Sequence, residues 1–169
     1  MDALHCVIEI PRHSRNKYEV DHETGTVWLD RTLFTPMGYP LDYGYIDSTL
    51  GEDGDPLDVL LYLDVPTFPG CHVKGRPVAA FVMSDEAGRD VKILCVPHGD
   101  PRYDHIRDLG DVHTHLQREV AHFFEHYKDL EPGKSVAIEG WAPLEQAQRE
   151  IDAALARFEH AHGNASPSH

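Results

Sequence analysis

Asp53, Asp55 and Asp58 fall within one hexapeptide, Asp53-Gly54-Asp55-Pro56-Leu57-Asp58, just ahead of an apolar run. Carboxylates this close repel and raise one another's pKa, so a compensating cation is expected beside them. Oxygen donors at this density suit the hard dications Mg²⁺, Mn²⁺ or Ca²⁺. An EF-hand does not fit: with Asp53 as its first ligand, the turn glycine would fall on Asp58 and the closing glutamate on Asp64. Read alone, the hexapeptide is equally compatible with a solvated acidic turn.

Other groups could work beside it. Asp85 and Asp90 flank the turn Glu86-Ala87-Gly88, so a hairpin would bring both carboxylates to one end. Strand alternation puts Asp90 and Lys92 on one face and Val91 and Ile93 on the other. Lys17 and Glu19 share a face of the opening strands, with Glu9 and Arg31 nearby in sequence. Tyr39, Tyr43 and Tyr45 stand among Gly and Pro, and Tyr127-Lys128 ends a helical segment. Phenols and ammonium groups donate well to phosphate oxygens. Each group also has an ordinary reading, as a charged hairpin, a solvated strand face or a buried tyrosine.

The elements that would carry these residues are mostly strands. Residues 5–10 alternate, with Cys6, Ile8 and Ile10 on one face and Val7 and Glu9 on the other, and Pro11 ends the run. Residues 17–21 alternate again, Thr24-Gly25 turns the chain, and residues 27–31 resume as a strand, which suggests a β-meander opening. Residues 36–56 read as loops and short strands, residues 57–64 as a buried strand, and residues 73–83 and 90–96 as a hairpin. A helix is expected from about Thr114, with Gln117 completing a capping box. Its apolar stripe is Leu116, Val120, Phe123, Phe124 and Tyr127, and Glu131-Pro132-Gly133 stops it. A strand over residues 136–141 precedes a second helix that starts near Pro143 and buries Leu144, Ala147, Ile151, Leu155 and Phe158. Many short strands followed by two late helices predict a mainly β (α+β) fold: a closed five-stranded OB-like barrel with flanking short strands. Residues 1–162 are expected to form one domain and residues 163–169 a disordered tail.

Composition narrows the function. The 169-residue chain carries a net charge of -14, which argues against a nucleic-acid surface with its clustered Lys and Arg. No apolar run reaches the length of about 18 residues that a membrane span requires, and residues 1–5 lack a signal-peptide pattern, so a cytoplasmic protein is expected. Cys6, Cys71 and Cys95 are far apart and read as reduced small hydrophobes. The 13 histidines form no His-Glu-x-x-His motif, and most read as surface or interface groups.

Seven segments stand in a telling order: VIEIP at 7–11, KYEVD at 17–21, DR at 30–31, YPLDYGY at 39–45, DGDPLDVL at 53–60, DEAGRDVK at 85–92 and HFFEHYKDLEPGK at 122–134. In type, order and spacing they resemble the family I soluble inorganic pyrophosphatases over nearly the whole chain. The wording NKYEVDHETG at 16–25 is similar to actinobacterial members. One departure is Ser135, where an aromatic residue often follows the last Gly-Lys.

The resemblance implies hydrolysis of diphosphate to two phosphates, with several Mg²⁺ ions per site and Mn²⁺ or Zn²⁺ as substitutes. It implies that Asp53, Asp58, Asp85 and Asp90 are metal ligands, with Asp58 shared between two ions and Glu9 a further acid. Lys17, Arg31, Tyr43, Tyr127 and Lys128 would contact phosphate, with Glu19, Tyr39 and Lys92 as supporting polar groups. Asp55 would take the proton of the attacking water, and Asp90 is the competing assignment. A homohexamer is also implied, and His122, Phe123, Phe124 and His126 on the first helix are the expected contact. The rival classes are a Mg²⁺- or Ca²⁺-binding barrel without catalysis and an oligonucleotide-binding barrel, the latter disfavoured by the charge.

Overall fold

The computed structural model describes residues 3–163, and in it the period-two runs become strands while the two helical stripes become helices. The strands are β1 (Leu4–Ile10), β2 (Asn16–Val20), β3 (Val27–Thr32), β4 (Asp42–Ile46), β5 (Asp58–Leu61), β6 (Cys71–Asp85), β7 (Gly88–Pro97) and β8 (Val136–Pro143). The helices are α1 (Thr114–His126) and α2 (Leu144–Gly163), and short 3-10 turns lie at Pro101–Tyr103 and Leu109–Asp111. Neighbours run β1-β4-β5-β7-β6, and β6 pairs back onto β1, so five strands close into an OB-like ring. β8 adds outside β6. The β5–β7 pair is parallel, and the other pairings of this sheet are antiparallel.

Alternation splits the apolar residues into two layers. Val59, Leu61, Ala80, Val82, Val91, Ile93 and Cys95 pack with Ala147, Ile151 and Ala154 of α2. Leu60, Ala79, Phe81, Met83, Leu94 and Val96 pack with Val120, Phe123 and Phe124 of α1. Lys92 is two residues from Leu94, and Asp58 two from Leu60, so both charged groups belong to the α1 side.

Several local expectations are corrected. The opening is not a three-strand meander: β2 and β3 form a separate two-stranded sheet, and β1 pairs with β4 and β6. Cys6 and Ile8 join the α2-side layer but Ile10 joins the α1-side layer. The register of β1 against β4 slips between Ile8 and Ile10, and a bulge there redirects the chain. The strand expected over 57–64 is confined to Asp58–Leu61. α1 does start at Thr114, but its N-cap is His113, whose Nδ1 accepts the His115 N–H at 3.1 Å. Gln117 instead donates to the carbonyls of Leu109 and Val112, so it closes no capping box. In α2 the third buried position is Ala154, whereas Leu155 is exposed. Gly163, expected to open a tail, is the last residue of α2, and residues 164–169 lie outside the described residues. Among the described residues, no helix is long and apolar enough to cross a membrane.

Candidate active site

The parallel β5–β7 register sets Asp58 beside Lys92, and alternation carries Asp90 to the same face. Lys92 is only 1% exposed. Its Nζ lies 3.0 Å from Asp58 Oδ2 and 2.9 Å from Asp90 Oδ2, and donates to the Tyr43 hydroxyl at 2.8 Å. The Tyr43 hydroxyl in turn donates to Asp58 Oδ2 at 2.9 Å. Burial opposes the charge on Lys92, yet Asp58, the Tyr43 oxygen and Asp90 hold its pKa well above the ordinary lysine value. Burial pushes Asp90 above the usual carboxylate range, Lys92 pulls it down, and Asp58 pushes it up again.

An open cleft of roughly 550 Å³ borders this nest and is lined by Glu9, Lys17, Glu19, Tyr43, Asp55 and Asp58, among others. Glu9 reaches it from the bulged end of β1, where its Oε2 accepts the Val20 N–H at 2.9 Å. Burial raises the Glu9 pKa to about 7, partly offset by that hydrogen bond and reinforced by Asp58. Lys17 Nζ bridges Glu19 at 2.8 Å and Asp30 at 3.0 Å, and these partners keep it charged against burial. Arg31 pairs with Asp30 and with Glu131 Oε1, the latter at 2.9 Å, and its buried Nε–H has no partner among the described residues.

The other candidates arrive from different directions. Asp85 ends β6, where its Oδ1 accepts the Ala87 N–H at 2.8 Å and its Oδ2 is 3.8 Å from Lys128 Nζ. Lys128 sits 5.3 Å above the Tyr127 ring at the end of α1. Tyr127 is buried, and Lys92, Asp90, Asp58 and Asp85 all influence its titration. Asp53 and Asp55 lie exposed on the loop before β5, and Asp53 Oδ1 accepts the Asp55 N–H at 3.0 Å. Tyr39 is 1% exposed and packs behind Tyr43, ring centres 5.5 Å apart, rather than lining the cleft. Burial raises the pKa of Tyr39, Tyr43 and Tyr127 alike, so all three phenols keep their protons at neutral pH and can donate.

Asp58, Asp90, Lys92 and Tyr43 thus touch directly, and Glu9, Lys17, Glu19 and Asp55 share their cleft. Among the described residues, no three His, Cys, Asp or Glu side chains already converge at metal-ligating distance. The donor set still fits a hard dication. It is all oxygen, and burial, reinforced by Asp58, holds Glu9 and Asp90 toward their neutral forms, a bias that a cation bound beside them would relieve. Two participants were missed in the sequence. Asp30 and Glu131 orient Lys17 and Arg31. Asp30 is visible in the DR pair, whereas Glu131 stands in the sequence only as part of a helix stop.

The sequence profile of the inorganic pyrophosphatase family matches residues 6–159. The chain belongs to this family. It is 57% identical over 159 residues to an inorganic pyrophosphatase of Leifsonia xyli, covering 94% of this chain and 98% of that one. The Escherichia coli K12 inorganic pyrophosphatase is 48% identical over 159 residues, covering 92% and 90%. Among solved structures, the inorganic pyrophosphatase of Thermus thermophilus superposes with a TM-score of 0.90 at 47% identity, covering 94% of this chain and 92% of the other. That of Helicobacter pylori gives 0.91 at 41% identity, covering 94% of both. The two solved structures therefore share the fold of this chain over 94% of its length.

Proposed function

We propose that this site hydrolyses inorganic diphosphate to two orthophosphates with Mg²⁺ as cofactor, Mn²⁺ or Zn²⁺ serving as substitutes. The observation that carries the reading is the buried Lys92–Asp58–Asp90–Tyr43 nest opening on a cleft that also holds Glu9, Lys17 and Asp55. Asp53, Asp58, Asp85 and Asp90 would hold the ions, with Glu9 as a further acid. Bound there, Mg²⁺ supplies charge neutralisation on the phosphates and acidification of water. Lys17, Arg31, Tyr43, Tyr127 and Lys128 orient the two phosphates and offset their charge, as phosphoryl transfer requires. Water oxygen attacks one phosphorus, the bridging P–O bond breaks, and the electron pair leaves on the bridging oxygen of the second phosphate. Asp55, exposed on the cleft wall, accepts the proton of the attacking water. Asp90 is the competing acceptor, but its engagement with Lys92 favours Asp55.

Phosphate release from diphosphate in Mg²⁺, in Ca²⁺ and in chelator tests the proposal. Turnover is expected in Mg²⁺ alone, because Ca²⁺ is larger and acidifies water less. Full turnover in Ca²⁺ refutes the metal assignment. No turnover in any metal returns the reading to a non-catalytic cation-binding barrel, which nothing in the site favours.

A cytoplasmic homohexamer completes the proposal. Three free cysteines suit a reducing compartment. Trp28, Leu29 and Phe68 are 63%, 56% and 64% exposed, large apolar side chains that a subunit contact would cover. On α1, Phe123 and Phe124 are consumed by the chain's own core, so only His122 and His126, ring centres 4.6 Å apart, remain for a contact there. Light scattering of the protein and of His126→Ala from pH 8 to 5 tests both: a monomer throughout rejects assembly, and indifference to pH and to the substitution rejects the histidines.

A further inference from the structure

The acidic loop before β5 carries Asp53 and Asp55; its Leu57 end is tied to β4, where the Ile46 N–H donates to the Leu57 carbonyl at 2.8 Å, and to Thr49 Oγ1, but across residues 51–55 its hydrogen bonds are local. Gly51 N–H donates to the Asp55 carbonyl at 2.6 Å, and Gly54 N–H to that of Gly51 at 3.1 Å. Such a turn holds its shape but not its place. What fixes its place is α2, a helix none of whose residues lines the substrate cleft. Leu50 is gripped at both ends: its N–H donates to the Ala154 carbonyl at 3.0 Å, and Arg157 Nε donates to its carbonyl at 2.8 Å. Two residues on, Glu52 lies 3.7 Å from Arg89 Nη1, and Arg89 Nη2 lies 2.6 Å from Glu150 Oε1. Arg89 immediately precedes Asp90, and alternation turns the two side chains to opposite faces of β7. Glu150 is the less exposed partner, at 16% for its side chain. Glu150, Arg89 and Arg157 together with the loop and Asp90 enclose one small crevice, whose wall includes Asp53 and Asp58.

We infer that Glu150, Arg89 and Arg157 are positioning residues, through which α2 holds the Asp53–Asp58 loop in register with Asp90 for cation binding. The inference rests on the metal assignment above. A Mg²⁺ ion tolerates little error in ligand geometry, so a loop free to drift by a fraction of an ångström binds it poorly. An arginine forked between two carboxylates transmits position well, because its guanidinium is planar and rigid. The charge on Glu150 acts through Arg89 and not by touching the ions.

Calorimetric titration of the substrate-free protein with MgCl₂, beside the Mg²⁺ dependence of diphosphate hydrolysis, tests this in Glu150→Gln. The control is Glu145→Gln, which removes the same charge from the same helix at an exposed pair with Arg149 that does not reach the loop. Glu150→Gln is expected to weaken Mg²⁺ binding by about 10-fold, the lower end of what is typical when partners behind metal ligands are lost. At saturating Mg²⁺ its KM for diphosphate should match the parent, and Arg89→Lys should fall between the two. Adding Arg89→Met to Glu150→Gln should cost little more than either change alone, because both break one linkage. Mg²⁺ affinity of Glu150→Gln within about twofold of the parent overturns the inference. So does an equal loss in Glu145→Gln, which would mean that only net charge matters. Failure of the parent to hydrolyse diphosphate would instead strike the function, and the calorimetric comparison would still decide the positioning role.

Discussion

Replacing Lys92 with methionine removes one ammonium while keeping most of the side chain's volume. In the folded chain that ammonium is fully enclosed and stands 3.0 Å and 2.9 Å from two carboxylates. Without it, Asp58 and Asp90 face each other with no cation between them. Removing one partner of a buried pair typically costs about 3–5 kcal/mol. At about 2–4 °C per kcal/mol for a chain of this size, the unfolding midpoint should fall by roughly 6–20 °C in chelator. The low end is favoured, because Asp90 already leans toward its neutral form and can relieve the repulsion by taking a proton. Added Mg²⁺ should restore much of the loss, since it supplies cations to the same carboxylates. The assay is thermal unfolding at pH 8 of parent and Lys92→Met, each with EDTA and with MgCl₂. A drop below about 2 °C in EDTA, or one that Mg²⁺ leaves unchanged, refutes the view that Lys92 offsets the acidic cluster.

Asp58→Asn should cut turnover by on the order of 10³-fold or more, because cation binding and positioning fail together. Glu19→Gln, at a side chain 58% exposed, should cost far less, and equal residual rates at saturating Mg²⁺ would reject that ranking. Asp55→Asn should preserve Mg²⁺ affinity in calorimetry while lowering the maximal rate by about 10²–10⁴-fold. If Asp90→Asn alone gives that behaviour, the proton acceptor is Asp90. Asp108 Oδ1 accepts the Leu144 N–H at 3.0 Å and the Leu109 N–H at 2.7 Å, and these bonds hold its pKa below the ordinary aspartate value. Its stabilising effect is therefore complete above that ordinary value and lost as pH falls through the folded-state pKa. Asp108→Asn should flatten the acid limb of the unfolding midpoint between pH 6 and pH 3, and superimposable limbs would contradict this.

Residue types and local periodicity are enough to define the chemistry available and the local faces. Three aspartates in six residues raise the expectation of a cation while remaining compatible with a solvated turn, and period-two alternation already pairs Asp90 with Lys92 and turns Val91 and Ile93 the other way. The α1 stripe was likewise legible, because a 3.6-residue period is a property of consecutive residues. Which strands meet is set by long-range packing. It placed β1 against β4 and β6, and it joined β5 to β7 in parallel so that Asp58 lies beside Lys92. It makes Lys92 the buried centre of the Tyr43–Asp58–Asp90 cluster, a residue that the family resemblance implies only as a supporting polar group. It also recruited Asp30 and Glu131 to Lys17 and Arg31, and replaced Leu155 by Ala154 in the core. The physical reason is common to these cases. Periodicity sets which way a side chain points within its own element, but register, bulges and ion-pair partners depend on contacts between segments distant in the chain. Those contacts are selected by the packing of the whole barrel, which no short window of sequence contains.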